Sequence, residues 1–393
     1  ASLVLILIGA CATPREVETL PPPSHESTSW EVRTAGGLEA IAFLNALVHY
    51  PLVYPHFRST VTRFEIGMPD HIEEAVTALG AYSEEHFRGA PGSPLFKPLA
   101  ACAFVYGDPL DTIGDVLELL EDEPRMEGAL ARVQDLTGPR NVYYTPEGFA
   151  ELMGVVAPVR TIFAYLEERG FEEDWNRRIR PRLETQAAHL LSVAESYNVV
   201  PEVETLLGFS LPSDHVVFFV LEYIKPFGNH IIPGYFATEP WIPDELIVRT
   251  AVHELMHDPC YTYDPEFWEA MGSALRDRFV WDAYESRDPK FGYNNPGYYA
   301  VENSVRALDQ IASERLGVAR PRADRFDERE DGGMHVLAPA LYVLMRDAGF
   351  PAGDEGFRDL VIRLHREGTL RRGRMRELYD RFFTEFAGSE PPY

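Results

Sequence analysis

Hydrophobic positions along the chain keep two periods, and the change between them falls near residue 200. Before it the spacing is helical. Leu38, Ile41, Ala42, Leu44 and Leu47 mark one face of a helix, and Ile72, Ala75, Leu79 and Tyr82 mark a second that opens on Pro69-Asp70. Segments 112–120, 146–166 and 183–197 repeat the theme, so a helical part is expected over residues 31–200. Its histidines (His49, His56, His71, His86 and His189) are scattered, which suits surface or packing positions.

After residue 200 the run Asp214 to Leu221 is β-branched and aromatic, a buried strand. Residues 228–236 form a second extended segment. Pro233 within it predicts an edge strand, because proline cannot donate to a ladder. A helix follows from Pro243-Asp244-Glu245, and Pro259 is expected to end it. One further helix is predicted from Pro265 to Val280, then a loop over 288–297, then a helix from Tyr298 to Leu316. The remainder, 319–393, reads as a charged loop or lid to Gly333 followed by two amphipathic helices. Its arginines (Arg363, Arg366, Arg371, Arg372, Arg374, Arg376 and Arg381) should pair with acids on a solvated face. The fold class is therefore α+β, mostly α, with a small sheet in a core over 201–318.

Composition narrows the partners. With 393 residues and 45% hydrophobic content, the chain can bury a full core. A net charge of −26 argues against nucleic acid or an anionic membrane as partner, since both would repel it. The apolar run Ser2 to Ile8 is too short to span a bilayer. It leads into Gly9-Ala10-Cys11, which resembles a bacterial lipobox. Residues 1–11 then read as the remainder of a lipoprotein-type signal peptide, with 12–30 as a Pro- and Ser-rich flexible tether. Such a chain would be exported and would meet the cell-envelope membrane only through lipid at Cys11. Cys102 and Cys260 remain, and their spacing does not say whether they pair.

The chemistry concentrates at His253-Glu254-Leu255-Met256-His257. Histidines four apart on a helix share a face, about 5–6 Å from each other at Cβ, so both can bind one Zn²⁺. Glu254 is placed to take a proton from water that the metal has acidified. Leu246, Ile247, Ala251, Leu255 and Met256 make this a mostly apolar helix, and histidines inside it need a partner. A satisfied pair of core histidines is the plainer alternative.

The pieces His253 to Pro259 and Glu302-Asn303-Ser304-Val305-Arg306-Ala307 resemble the zincin metallopeptidases, specifically the gluzincins, whose third ligand is a downstream glutamate. They also resemble an uncharacterised group of bacterial HExxH proteins. The likeness covers about residues 215–310. It implies a zincin-like core, with residues 229–236 as an edge strand that takes substrate backbone by strand addition, and a peptide or protein substrate.

The resemblance points to Glu302 as third ligand, and Glu302 lies at the margin of the stripe Val301, Val305, Leu308 and Ala312. The gap from His257 is about twice that of thermolysin-like enzymes, and Arg306 stands one turn later where those enzymes have an acid. Asp264, Glu269, Asp277 and Glu285 therefore stay open as ligands. Arg306 would either pair with Glu302 along the helix or steady it as a ligand, and Asp309 would accept from a zinc histidine. Tyr298 and Tyr299 are the candidate catalytic donors to an oxyanion, with Tyr261, His230 and His335 also able to serve. Two other functions share these residues: a surface lipoprotein that binds or assembles around a structural zinc, and a zinc amidase acting on cell-wall material.

Overall fold

The protein is described here by a computed structural model covering residues 21–49, 57–86, 95–107, 110–137, 146–224, 229–288, 295–326 and 330–388. Helices dominate, and four strands form one mixed sheet: β1 (Ser29–Arg33), β2 (His215–Val220), β3 (Asn229–Ile232) and β4 (Tyr235–Thr238). The spatial order is β1-β2-β4-β3. β1 runs parallel to β2, β2 parallel to β4, and β3 antiparallel to β4 at the sheet's edge.

β2 lies where the β-branched run predicts it. The expected single edge strand over 229–236 is instead a hairpin, β3 and β4, turned at Pro233-Gly234. Gly234 adopts φ +80°, which suits the third position of a Pro-Gly turn. A Cβ there would come within 2.8 Å of the His215 carbonyl oxygen. At a turn, proline needs no ladder partner, so one residue explains both the misreading and the hairpin.

β1 is a second correction. Residues 21–30 of the expected tether are not free: Ser24 and His25 both donate backbone N–H groups to the buried Glu204 carboxylate, and Ser29 donates to the Asp214 carbonyl as β1 joins the sheet. The lipobox-like segment and residues 12–20 lie outside the described residues. Because β1 pairs with β2, the sheet is shared between the expected N-terminal and central parts. The buried apolar side chains form one cluster from Val32 to Phe383.

The motif helix, Asp244–Thr262, packs chiefly against the helix Pro296–Leu316, with Val199–Leu207 and Arg180–Ala194 as further neighbours. Pro259 does not end it; the helix continues one turn to Thr262, whose hydroxyl donates to the Pro259 carbonyl. A proline this close to a helix end removes one ladder bond and leaves only one turn to be disturbed. The expected helix Pro265 to Val280 is two, Pro265–Leu275 and Arg278–Ser286, because Asp277 caps the second by accepting from Phe279 N–H.

The helix Pro296–Leu316 carries no margin of the predicted kind. It is buried all round from Tyr299 to Ser313. Its polar side chains are satisfied locally: Asn303 donates to the Tyr299 carbonyl and accepts from Ala338 N–H, and Ser304 donates to the Ala300 carbonyl. Among the described residues one helix, Phe149–Glu168, is long and apolar enough to cross a membrane. Leu152, Val156, Val159, Ile162, Phe163 and Leu166 along it lie in the protein core.

Candidate metal centre

His253 and His257 stand one turn apart on the motif helix, and their Nε2 atoms face each other 3.0 Å apart. Across the helix–helix seam, Glu302 brings Oε2 to 3.8 Å from His253 Nε2 and 3.5 Å from His257 Nε2. Separations of 3.0–3.8 Å are those of neighbouring ligand atoms around a single metal ion. Three buried or half-buried ligand atoms converging at that spacing fit a metal ion. His253, Glu254 and His257 also form a group whose ligand atoms lie within 4.8 Å of one another and could hold one.

Two of the three corners are held from behind. His253 Nδ1 lies 2.6 Å from Asp309 Oδ2, which leaves Nε2 free to face the triangle. Asp309 accepts in turn from the Arg325 guanidinium through both carboxylate oxygens. Glu302 receives Arg306 Nε at 2.8 Å on Oε1, so only Oε2 turns toward the histidines. The two readings of Arg306 are thus one: it pairs along the helix and, in doing so, orients the carboxylate. Sequence alone does not bring Arg325 to the site, because residues 319–333 read as a charged surface loop or lid. A short helix, Arg322–Arg325, instead turns that side chain inward, leaving it 14% exposed.

Charge balance at the site follows from these contacts. Burial acts against the charged form of Glu302, but His253, Arg306, His257 and His335 outweigh it and hold its carboxyl well below the usual range. Burial also opposes ionisation of Glu254; His257, His253 and His230 reverse this and keep it ionised. His253 loses by burial yet gains more from Glu302 and Asp309, so its pKa rises. His257, disfavoured by burial and by the charge of His253, falls.

The competing acids are committed elsewhere. Asp264 caps the helix Pro265–Leu275 and pairs with Arg358; Asp277 caps its own helix and accepts from Gly373 and Met375 N–H. Glu269 and Glu285 are exposed. Among the oxyanion donors, Tyr299 is corrected: fully buried, it donates its hydroxyl to the Met334 carbonyl at 2.5 Å and serves the core. Tyr298 is half-buried in the first turn of the same helix. The side chain of Tyr261 lies outside the described residues. His230, on β3, brings Nε2 to 3.1 Å from Asp258 Oδ2, and so ties the edge strand to the motif helix.

Cys102 and Cys260 are both buried and unpaired among the described residues; burial pushes each thiol up to about 12, so neither offers a thiolate. No family model, curated protein or solved structure matches this chain.

Proposed function

We propose that the chain is a zinc-dependent hydrolase of the gluzincin type, acting as a metallopeptidase. His253, His257 and Glu302 would hold the metal and Glu254 would act as general base. The observation that carries the reading is the triangle of His253 Nε2, His257 Nε2 and Glu302 Oε2, with an ionised Glu254 next to it. Zinc, when bound, supplies a Lewis acid that polarises a carbonyl and makes water more acidic near neutral pH.

The chain's own groups account for the remaining steps. Glu254 takes a proton from the attacking water and passes it to the leaving amine nitrogen. Asp309 fixes the His253 tautomer, and Arg306 fixes the Glu302 rotamer. Tyr298 is the proposed oxyanion donor, with His230 and His335 as alternatives. Peptide is the preferred substrate because β3 is an antiparallel edge strand whose His230 reaches the motif helix at Asp258, so an extended backbone added to β3 would run beside the site. Export and lipid anchoring at Cys11 belong to the same proposal and rest on the N-terminal sequence alone.

The test is metal analysis with peptide hydrolysis. Purified protein should hold about one zinc per chain, and Glu302→Ala should lose or weaken it. Glu254→Gln should keep the metal and lose roughly 10²–10⁴ in rate. Zinc bound without hydrolysis of any peptide mixture would leave a structural site. No zinc after reconstitution would end the hydrolase reading.

A further inference from the structure

The motif helix carries one more residue on the face of its histidines. Arg249 lies one turn before His253, so 249, 253 and 257 form a single stripe. Arg249 is half-buried, its Nε is enclosed, and that N–H has no hydrogen-bond partner among the described residues. The guanidinium has no ion pair within 4.0 Å among the described residues, although the chain has 62 acids against 36 lysines and arginines. Glu245, one turn earlier, is exposed and acts on Arg249 only at a distance.

The neighbours make the lack of an anion more pronounced. Residues 320–325 run along the C-terminal half of the helix Pro296–Leu316: the Arg320 carbonyl accepts from Gln310, Arg322 pairs with Glu314, and Arg325 pairs with Asp309. Glu302 faces His253 and His257 while Asp309, two turns later, is bonded to His253, so this helix runs from the His257 end of the stripe toward the Arg249 end and carries the segment with it. Burial, followed by the charges of Arg320 and Arg325, weakens the hold of Arg249 on its proton. Asp309, a buried carboxylate that acts on Arg249, is already used by Arg325 and His253.

We propose that Arg249, flanked by Arg320 and Arg325, forms a binding site for a small oxyanion: a carboxylate or phosphate group. Such a group is planar or trigonal at the face it presents, and it would satisfy a guanidinium fork through two parallel N–H···O bonds. On the motif helix it would lie one turn before His253, outside the set His253, His257 and Glu302. The proposal does not rest on the hydrolase reading. The shared chemistry has two sources, a free anion or the anionic end of a bound peptide.

The experiment is thermal melting of the full chain, as purified and again after metal chelation, at ionic strength held constant with sodium chloride. Sodium phosphate and sodium acetate are the first probes. A saturating oxyanion should raise the melting temperature by a few degrees in both preparations. Arg249→Gln should begin at or above the wild-type melting temperature, having lost a buried unpaired charge, and should not respond. Arg320→Gln should respond more weakly, and it serves if the first variant does not fold.

A short peptide with a free C-terminal carboxylate, compared with its amide, separates the sources. A shift with the carboxylate form alone assigns the site to a peptide end, and a shift with phosphate or acetate alone assigns it to a free anion. No shift with any probe overturns the proposal. So does a response that disappears on chelation, which would place the anion on the metal, or one that survives unchanged in Arg249→Gln.

Discussion

At the level of single residues, Asp309 joins the candidate metal centre to the segment behind it. It accepts from His253 through Oδ2 and from Arg325 through both oxygens, in a pocket where only 8% of its side chain is exposed. Burial alone would favour its neutral form, yet Arg325 and His253 keep it ionised. Asp309→Asn should keep the fold and weaken metal binding by about 10–100-fold, because the amide neither holds the His253 tautomer nor neutralises Arg325. Competition with a chelator of known affinity would measure it, and unchanged affinity would remove Asp309 from the site. The histidines and Glu254 were legible because their chemistry is local: four residues make one turn. Asp309 was legible by the same periodicity, two turns beyond Glu302. Arg325 was not, since a cation in a charged stretch reads as solvated until tertiary structure turns it inward.

At the level of elements, the helix Pro296–Leu316 organises the site, and pattern reading understates it most. A buried stripe of Val301, Val305, Leu308 and Ala312 implies an opposite polar face in water. Here that face is also buried, and Asn303, Arg306, Asp309 and Gln310 are satisfied by hydrogen bonds that no periodicity reveals. Asn303 shows the consequence. Its Oδ1 accepts from Ala338 N–H at 3.0 Å, a first-turn donor of the helix Leu337–Asp347 that has no partner within its own helix. Asn303→Ala should destabilise the protein by about 2 kcal/mol, measured by denaturant unfolding, because the orphaned N–H stays buried. A change within a few tenths would mean that water or another group takes over. The hairpin at Pro233-Gly234 and the helix break at Asp277 were missed for a related reason: proline and aspartate each have more than one use, and the choice between edge strand and turn, or helix interior and cap, is made by neighbours distant in sequence.

For the whole molecule, the join between the N-terminal helices and the sheet is the feature with a solution consequence. Glu39, on the helix Gly36–His49, is fully buried and accepts backbone N–H bonds from Glu222 and Tyr223, just past β2. Burial outweighs those donors and, with the nearby charge of Glu222, pushes its pKa up to about 8 from the ordinary 4.5. The folded protein therefore keeps a proton there that the unfolded chain has lost. Stability from this group is complete below the unfolded value near 4.5 and is lost as pH rises through about 8, at a slope of up to about 1.4 kcal/mol per pH unit between them. The depressed carboxylates Glu302, Asp309 and Glu314 act in the opposite sense, but only as pH falls through the acid range. His253 and His257 shift in opposite directions, and both are common to the wild type and a Glu39 variant. Denaturant midpoints at pH 5, 6.5 and 8 for the wild type and Glu39→Gln isolate the effect. The wild type should lose stability relative to the variant as pH rises, and the variant should be the more stable of the two above pH 8. Parallel curves across that window would show that Glu39 is ionised in the folded protein, held so by its two N–H donors.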